Sequence, residues 1–111
     1  MTKLATIAAL AGLLGLPEAA LRETLTMTGH GTYSECALIA QELDGPWDVQ
    51  RGQDRAVVVH NGMSYKLKRK GDAYEGGTAF SVYSVRVAVI MRLEPASMNF
   101  TTNWNCGWSS R

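Results

Sequence analysis

The side chains best suited to act on another molecule are a short basic run and two tryptophans near the C-terminus. They are Lys66, Lys68, Arg69, Lys70, Trp104 and Trp108. Ammonium and guanidinium groups attract anionic partners, and tryptophan is enriched among the residues that dominate protein interfaces. We therefore predict that these six residues form a partner-binding surface.

Each group has a second interpretation. Lysines on the outer face of a strand also prevent unwanted pairing with other chains, which requires no partner. Basic residues beside Tyr65 and Tyr74 are typical of a sheet face that binds single-stranded nucleic acid, with bases stacked on the aromatic rings. Trp104 and Trp108 alternate with polar residues, as core residues of an amphipathic strand also do. The sequence leaves these alternatives open.

Catalytic and metal-binding patterns are poor. Cys36 near a helix N-terminus could be an activated nucleophile paired with His30 or His60, because that position favours the thiolate. No acidic residue stands at a spacing that would orient either histidine, and Cys36, Cys106, His30 and His60 lack the paired spacing of zinc ligands. We predict no enzymatic activity, no metal and no cofactor.

A hairpin should position the basic run. Asn61-Gly62 favours the type I′ turn, whose twist matches that of the flanking strands, here residues 55–60 and 63–68. A two-residue turn pairs His60 with Met63, Val58 with Tyr65 and Ala56 with Leu67 on the inner face. It pairs Val59 with Ser64, Val57 with Lys66 and Arg55 with Lys68 on the outer face.

The hydrophobic pattern changes once, near Gly45-Pro46. Before it, apolar residues recur at helical spacing and predict helices over 2–14, over 17–28 and from Thr32, in the capping box Thr32–Glu35, to Leu43. After it, alternation predicts the hairpin, a loop over 71–77, a long strand over 78–93 that should bend, and a strand over 98–109. The fold class is therefore α+β: one domain over 1–111, with three N-terminal helices packed on a four-stranded, mainly antiparallel β-sheet.

The first two predicted helices also have the spacing of a helix-turn-helix. Ala11, Gly15 and Leu21 would be the small residue, the turn glycine and the core aliphatic residue of that motif. The second helix would expose Glu18 and Glu23, which repel phosphates. Two core helices meeting at a turn is the alternative.

Charge and cysteine content bear on partners and compartment. Residues 1–45 hold two basic and five acidic residues, and residues 46–111 hold nine basic and five acidic, so the second half should meet any anionic partner. Cys36 and Cys106 are far apart in sequence, and we predict two free thiols in a reducing cytosol. The apolar run Leu4–Leu16 lacks a small-residue cleavage site and is too short to span a bilayer, so we predict a helix of the mature protein, no membrane association and a cytoplasmic location in a bacterial host.

The first 47 residues resemble the N-terminal segment of phage single-strand annealing proteins of the RecT/Bet group. The matching stretches are Leu4–Ile7, Leu14–Leu21, Thr24-Leu25, Ala37–Ala40 and Gly45–Trp47. The resemblance implies a phage or prophage setting and a helical module for association. It does not extend to the second half, so it implies no strand-annealing activity.

Together these observations predict a non-enzymatic, small phage-type accessory protein that binds a host protein or nucleoprotein complex. A host-defence inhibitor of the anti-CRISPR kind would fit this description by analogy. The alternatives are a nucleic-acid-binding protein that uses the basic sheet face, and a small virion or assembly protein whose C-terminal strand adds to a neighbour's sheet. The sequence does not set the oligomeric state.

Overall fold

A computed structural model of the chain describes residues 21–30, 36–82 and 84–110. The predicted helix over 2–14, the beginning of the second helix and the capping box lie outside the described residues. The described elements are β1 (Leu21–His30), α1 (Cys36–Leu43), β2 (Gly45–Arg51), β3 (Arg55–His60), β4 (Met63–Lys70), β5 (Ala73–Val82), β6 (Val85–Leu93), β7 (Met98–Thr102) and β8 (Gly107–Ser110).

The eight strands form a closed antiparallel barrel. Each strand pairs with the next along the chain, and β8 closes the barrel by pairing with β1, where Met27 lies opposite Ser110. Side chains alternate between interior and outer wall because successive residues of a strand point to opposite faces. Eight strands leave an interior just wide enough for side chains to fill.

Large apolar side chains occupy that interior. The rings of Trp47, Phe100 and Trp108 are at most 1% exposed, and the Trp47 ring meets Phe100 edge-on with 4.9 Å between ring centroids. The imidazole of His60 stacks on Trp47 at 4.4 Å between centroids. The barrel is therefore a packed core, with its aromatic rings already used for stability.

Helix α1 covers one end of the barrel. Ile39 and Leu43 on its inner face are fully buried. Trp47 Nε1 donates to the Leu43 carbonyl at 2.9 Å, and Trp108 Nε1 donates to Asp44 just after the helix, at 2.5 Å. These bonds satisfy the only polar atoms of two buried indoles and fix the helix over the core.

A disulfide fixes the same end covalently. Cys36 at the start of α1 is bonded to Cys106 in the turn between β7 and β8, with 5.7 Å between their Cα atoms. The prediction of two free thiols is therefore wrong. Sequence distance misled it: Cys36 and Cys106 are 70 residues apart, but barrel closure brings them together.

The predicted α+β class is also wrong, because the described residues form a barrel with one short helix. Residues 21–28 belong to β1 and not to a second helix, since Glu23, Leu25 and Met27 turn inward while Arg22 and Thr24 stay exposed. The third predicted helix is confirmed over Cys36–Leu43.

The second half contains more reversals than predicted. The β3–β4 hairpin is confirmed in all six pairs, from Arg55 with Lys68 to His60 with Met63. The predicted loop over 71–77 is a two-residue turn followed by β5. The predicted strand over 78–93 is divided between β5 and β6, and that over 98–109 between β7 and β8, with turns at Ser84 and Asn105, whose φ angles are 67° and 60°.

Candidate partner-binding surface

Strand β4 presents three lysines on the outer wall. Lys66, Lys68 and Lys70 alternate with Leu67, which is fully buried inside the barrel. The strand period of two therefore gathers these lysines into one line, which we call the basic stripe. The predicted position of Lys66 and Lys68 on the outer face of the strand is confirmed, and their role in binding a partner stays a prediction.

The lysines of the basic stripe differ in their charge partners. Lys70 lies 3.2 Å from Glu75, which also contacts Arg92 at 3.3 Å. Hydrogen bonding and charge from Lys70, supported by Arg92, lower the pKa of the Glu75 carboxyl. Among the described residues no ion pair involves Lys66 or Lys68. Their charge is therefore available to an anionic partner.

Arg69 has a structural role at the opposite end of the barrel from α1. Its Nη1 donates to the Gln53 carbonyl at 3.0 Å and to the Tyr74 hydroxyl at 3.2 Å, and its Nε donates to the Gly71 carbonyl at 3.0 Å. Tyr74 in turn donates to the Gly52 carbonyl at 2.5 Å. The guanidinium thus joins two turns and is separate from the basic stripe.

The two tryptophans are not brought to the basic stripe. Trp108 is 1% exposed, because it points into the barrel opposite Phe100. Its core interpretation is therefore the one that the structure bears out. Trp104 is half-buried in the turn between β7 and β8 and packs on the core. The basic stripe and the tryptophans occupy different parts of the molecule.

Next to the basic stripe, the register between β4 and β5 is short. In the described range 63–82, the register between these strands covers three pairs, from Lys68 with Glu75 to Lys70 with Ala73. By contrast, β3–β4 covers six pairs and β5–β6 covers nine. We call the seam the side of β4 over 63–67 that faces β5, together with the facing side of β5 over 76–81.

The seam begins at a glycine. A Cβ on Gly76 would lie 2.6 Å from Leu67 Cδ2 and 2.9 Å from the Lys66 carbonyl oxygen, so only glycine permits this approach of β5 to β4. Beyond that point the half-buried Tyr65 and Phe80 pack against the core, and Met63 is 59% exposed. The seam is thus apolar toward the core.

Helix α1 approaches the inner side of the seam. Partial burial, and secondly the charge of Glu42, raise the pKa of the Tyr65 hydroxyl. The carboxylate of the exposed Glu42 in α1 is therefore close enough to Tyr65 to influence its hydroxyl.

A shallow groove lies on another part of the outer wall. It has a volume of about 400 Å³ and is lined by residues of β1 and β2, most of them polar but including Val49, together with Val59 of β3. Thr24 donates to Asp48 at 3.2 Å, and the amide oxygen of Gln50 accepts from Arg22 at 3.0 Å. Opposite charges offset each other there. Sequence reasoning missed this groove because it assigned a helix to β1 and left β2 unassigned.

The predicted alternatives for catalysis find no support in the geometry. Cys36 is in a disulfide and so is neither a nucleophile nor a zinc ligand. His60 Nδ1 donates to the Pro46 carbonyl at 2.7 Å, which is a structural role for a buried imidazole. Within residues 21–30, 36–82 and 84–110, no three His, Cys, Asp or Glu side chains are grouped to hold a metal ion. No helix in those ranges has the length and apolar character needed to cross a membrane.

Comparisons with known proteins returned no match to this chain, whether to a protein family, to a curated protein or to a solved structure.

Proposed function

We propose that this chain is a non-enzymatic binding protein that recognises an acidic partner protein through the outer wall of its barrel. The observation that carries the proposal is the pair Lys66 and Lys68. They are exposed, lie on one strand, and have no ion-pair partner among the described residues. Complementary charge on a partner gives specificity and speeds encounter.

The filled interior supports an external binding surface. Carrier proteins of similar strand number keep a ligand cavity inside the barrel. Here Trp47, Phe100 and Trp108 occupy that space, each at most 1% exposed. A ligand of appreciable size would have to displace buried rings, which costs several kcal/mol, about 3–5 for each large aromatic side chain removed from a core.

The disulfide supports a setting outside a reducing cytosol. Disulfides persist in oxidising compartments, whereas cytosolic thiols are kept reduced. The bond between Cys36 and Cys106 closes a long loop at the end of the barrel covered by α1. We therefore infer a partner in a periplasmic or extracellular compartment and do not retain the cytoplasmic location.

An oxidising compartment favours some of the functions predicted from the sequence over others. A phage-type protein that acts on a host macromolecule remains a prediction, but an anti-CRISPR target is cytosolic and fits the disulfide poorly. Nucleic acid remains the second candidate because the basic stripe is a line of positive charge. It is weaker because Lys70 is paired with Glu75 and Arg69 is held by turn carbonyls.

The proposal is tested by affinity capture with the oxidised protein as bait. Extracts of periplasm or culture medium and of cytosol are treated with nuclease and compared. We expect one acidic protein, at a fixed ratio, from the oxidising fraction. The double variant Lys66→Glu with Lys68→Glu should lose it, because the substitution reverses the attractive charge.

The matched control is Lys70→Glu, which changes the same residue type on the same strand where the lysine already has an acidic neighbour. It should retain capture. Equal capture by the double variant and the control would contradict the proposal, and capture that disappears on nuclease treatment would favour nucleic acid. A steep loss of binding with salt should then accompany it.

A further inference from the structure

The groove on the outer wall of β1 and β2 holds two opposite charges that do not pair with each other. Arg22 and Asp48 both line it, and both are exposed. Among the described residues no ion pair involves either of them. Arg22 lies opposite Gln50 and Asp48 lies opposite Thr24, so the two charged residues are diagonal neighbours, about 7–8 Å apart. The groove therefore presents a cation and an anion side by side.

Neutral neighbours hold both charged groups in place. The amide oxygen of Gln50, a residue that is 5% exposed, accepts from Nε and Nη2 of Arg22 at 3.2 and 3.0 Å. Thr24 donates to one carboxylate oxygen of Asp48 at 3.2 Å. Each contact uses only part of the charged group. The remaining N–H groups of the guanidinium and the second carboxylate oxygen can therefore bind a ligand.

The size and shape of the groove suit a small molecule. Its volume of about 400 Å³ is at the lower end of the range for small-molecule sites, which is roughly 300–1,000 Å³. In the register of β1 with β2, the pair Glu23 and Val49 lies between the two pairs named above. The side chains of this middle pair turn inward, so its backbone forms the floor. Val59 of β3 adds an apolar surface at one side.

We propose that this groove binds a small zwitterion, namely an α-amino acid with an apolar side chain. Its carboxylate binds Arg22, its ammonium group binds Asp48, and its side chain contacts Val59. Both polar contacts are hydrogen bonds between charged groups, which are the strong ones. The groove is separate from the basic stripe, so this inference goes beyond the proposed function.

Ligands of other chemistry fit the groove less well. Asp48 would repel a simple anion and Arg22 would repel a simple cation, whereas a zwitterion is attracted by both residues. Among the described residues that line the groove none is aromatic, so a nucleobase finds no ring on which to stack. The pattern of charge therefore selects a ligand that carries one charge of each sign.

The test uses the full oxidised protein and three ligands of similar size. They are leucine, N-acetylleucine, which lacks the ammonium charge, and leucinamide, which lacks the carboxylate. An NMR titration of the backbone amides measures the affinity and locates the site. We expect saturable binding of leucine with a Kd of about 1 mM, with the largest shifts at residues 22–24 and 48–50. Each derivative should bind about fivefold more weakly, which is the effect of one of the stronger exposed ion pairs.

Two variants assign each charge of the ligand to one residue. In Asp48→Asn, leucine and N-acetylleucine should bind equally, because the ammonium group has lost its partner, and the preference for leucine over leucinamide should remain. In Arg22→Gln, the preference over leucinamide should be lost and that over N-acetylleucine should remain. Asp54→Asn and Arg86→Gln are the matched controls, since they change exposed residues of the same types outside the groove. Both preferences should persist in the controls.

Three results would each overturn the inference. They are no saturation by leucine at about tenfold above the expected Kd, equal binding of all three ligands to the wild-type protein, and largest shifts outside the groove. The comparison of ligands on the wild-type protein requires no substitution. It therefore remains decisive if a variant fails to fold.

Discussion

The two sides of strand β4 are paired in different ways. Toward β3 it makes six pairs around the turn at Asn61-Gly62, and toward β5 it makes three before the seam begins at Gly76. Asn61 and Gly62 have φ angles of 50° and 77°, which the tight turn requires. The residues of the turn are thus sufficient to set the pairing of β4 with β3. The pairing of β4 with β5 depends instead on how closely the two backbones approach each other.

The largest expected effect comes from a residue that serves both sides. Leu67 is fully buried on the inner face of β4, opposite Ala56 of β3 and next to Gly76 of β5. Leu67→Ala should lower the free energy of unfolding by about 2–5 kcal/mol, because it removes buried methyl groups and leaves a cavity. Urea denaturation of the oxidised protein measures it, and a loss below about 1 kcal/mol would mean that the core collapses around the site.

Adding a methyl group at the start of the seam should cost less. Gly76→Ala places a Cβ against Leu67 Cδ2 and the Lys66 carbonyl, so we expect a loss of about 1–3 kcal/mol from overpacking. The double variant with Leu67→Ala should lose less than the sum of the single losses, because the shorter side chain makes room. Additive losses would show that the backbone contact with Lys66 dominates.

On the β3 side, Gly62→Ala tests the turn without any crowding. A Cβ at Gly62 meets nothing within 4 Å, so the cost is the strain of a left-handed backbone, about 1 kcal/mol. Unfolding in urea provides the measurement, with exchange of β4 amides to check the register. An unchanged free energy of unfolding would mean that the backbone of the turn relaxes around the alanine while the register between β3 and β4 is kept.

The smallest expected effect concerns the ion pairs where β4 and β5 do meet. Glu75 has a pKa below its ordinary value of 4.5 because of Lys70 and then Arg92, so its ionised form stabilises the fold. This stabilisation is present above the ordinary pKa and is lost as the pH falls through the lowered value. Glu75→Gln should therefore be less stable than wild type at neutral pH, and the difference should disappear in acid. A difference that is independent of pH would indicate a packing effect.

Sequence patterns predicted the β3–β4 hairpin because its turn residues and its alternation agree. The break between β5 and β6 was also readable: inward residues are even-numbered at Thr78 and Phe80 but odd-numbered at Val87 and Val89. A two-residue turn shifts the phase of alternation by one, and a continuous strand cannot do that. The length of the predicted strand over 78–93 also indicated that it could not be one straight strand.

Other reversals were hidden. Between β7 and β8 the turn has four residues, an even number, so the inward residues Phe100 and Trp108 are both even-numbered. The alternation therefore continues unchanged through the turn, and the segment has the pattern of a single strand. In β1, Leu21 and Leu25 fit helical spacing as well as strand alternation, and a short apolar pattern does not separate the two. Barrel closure depends on the pairing of β1 with β8, which are far apart in sequence, and no local pattern encodes such a pairing.

For the candidate site, the sequence located the lysines and not their surroundings. A period of two places Lys66, Lys68 and Lys70 on one face, and this was foreseeable. Which of them is neutralised depends on the register with β5, and the fate of Trp108 depends on barrel closure. The seam could be located only from the registers of β4 with both of its neighbours, β3 and β5.

The bond between Cys36 and Cys106 turns the chain from α1 through β7 into a covalent ring. A protease that cuts once within that ring, for instance at the exposed Gln53-Asp54, leaves two pieces that still migrate as one species. The pieces would separate only after reduction. Nicked molecules would therefore escape notice on a gel run without reductant and could keep their barrel assembled.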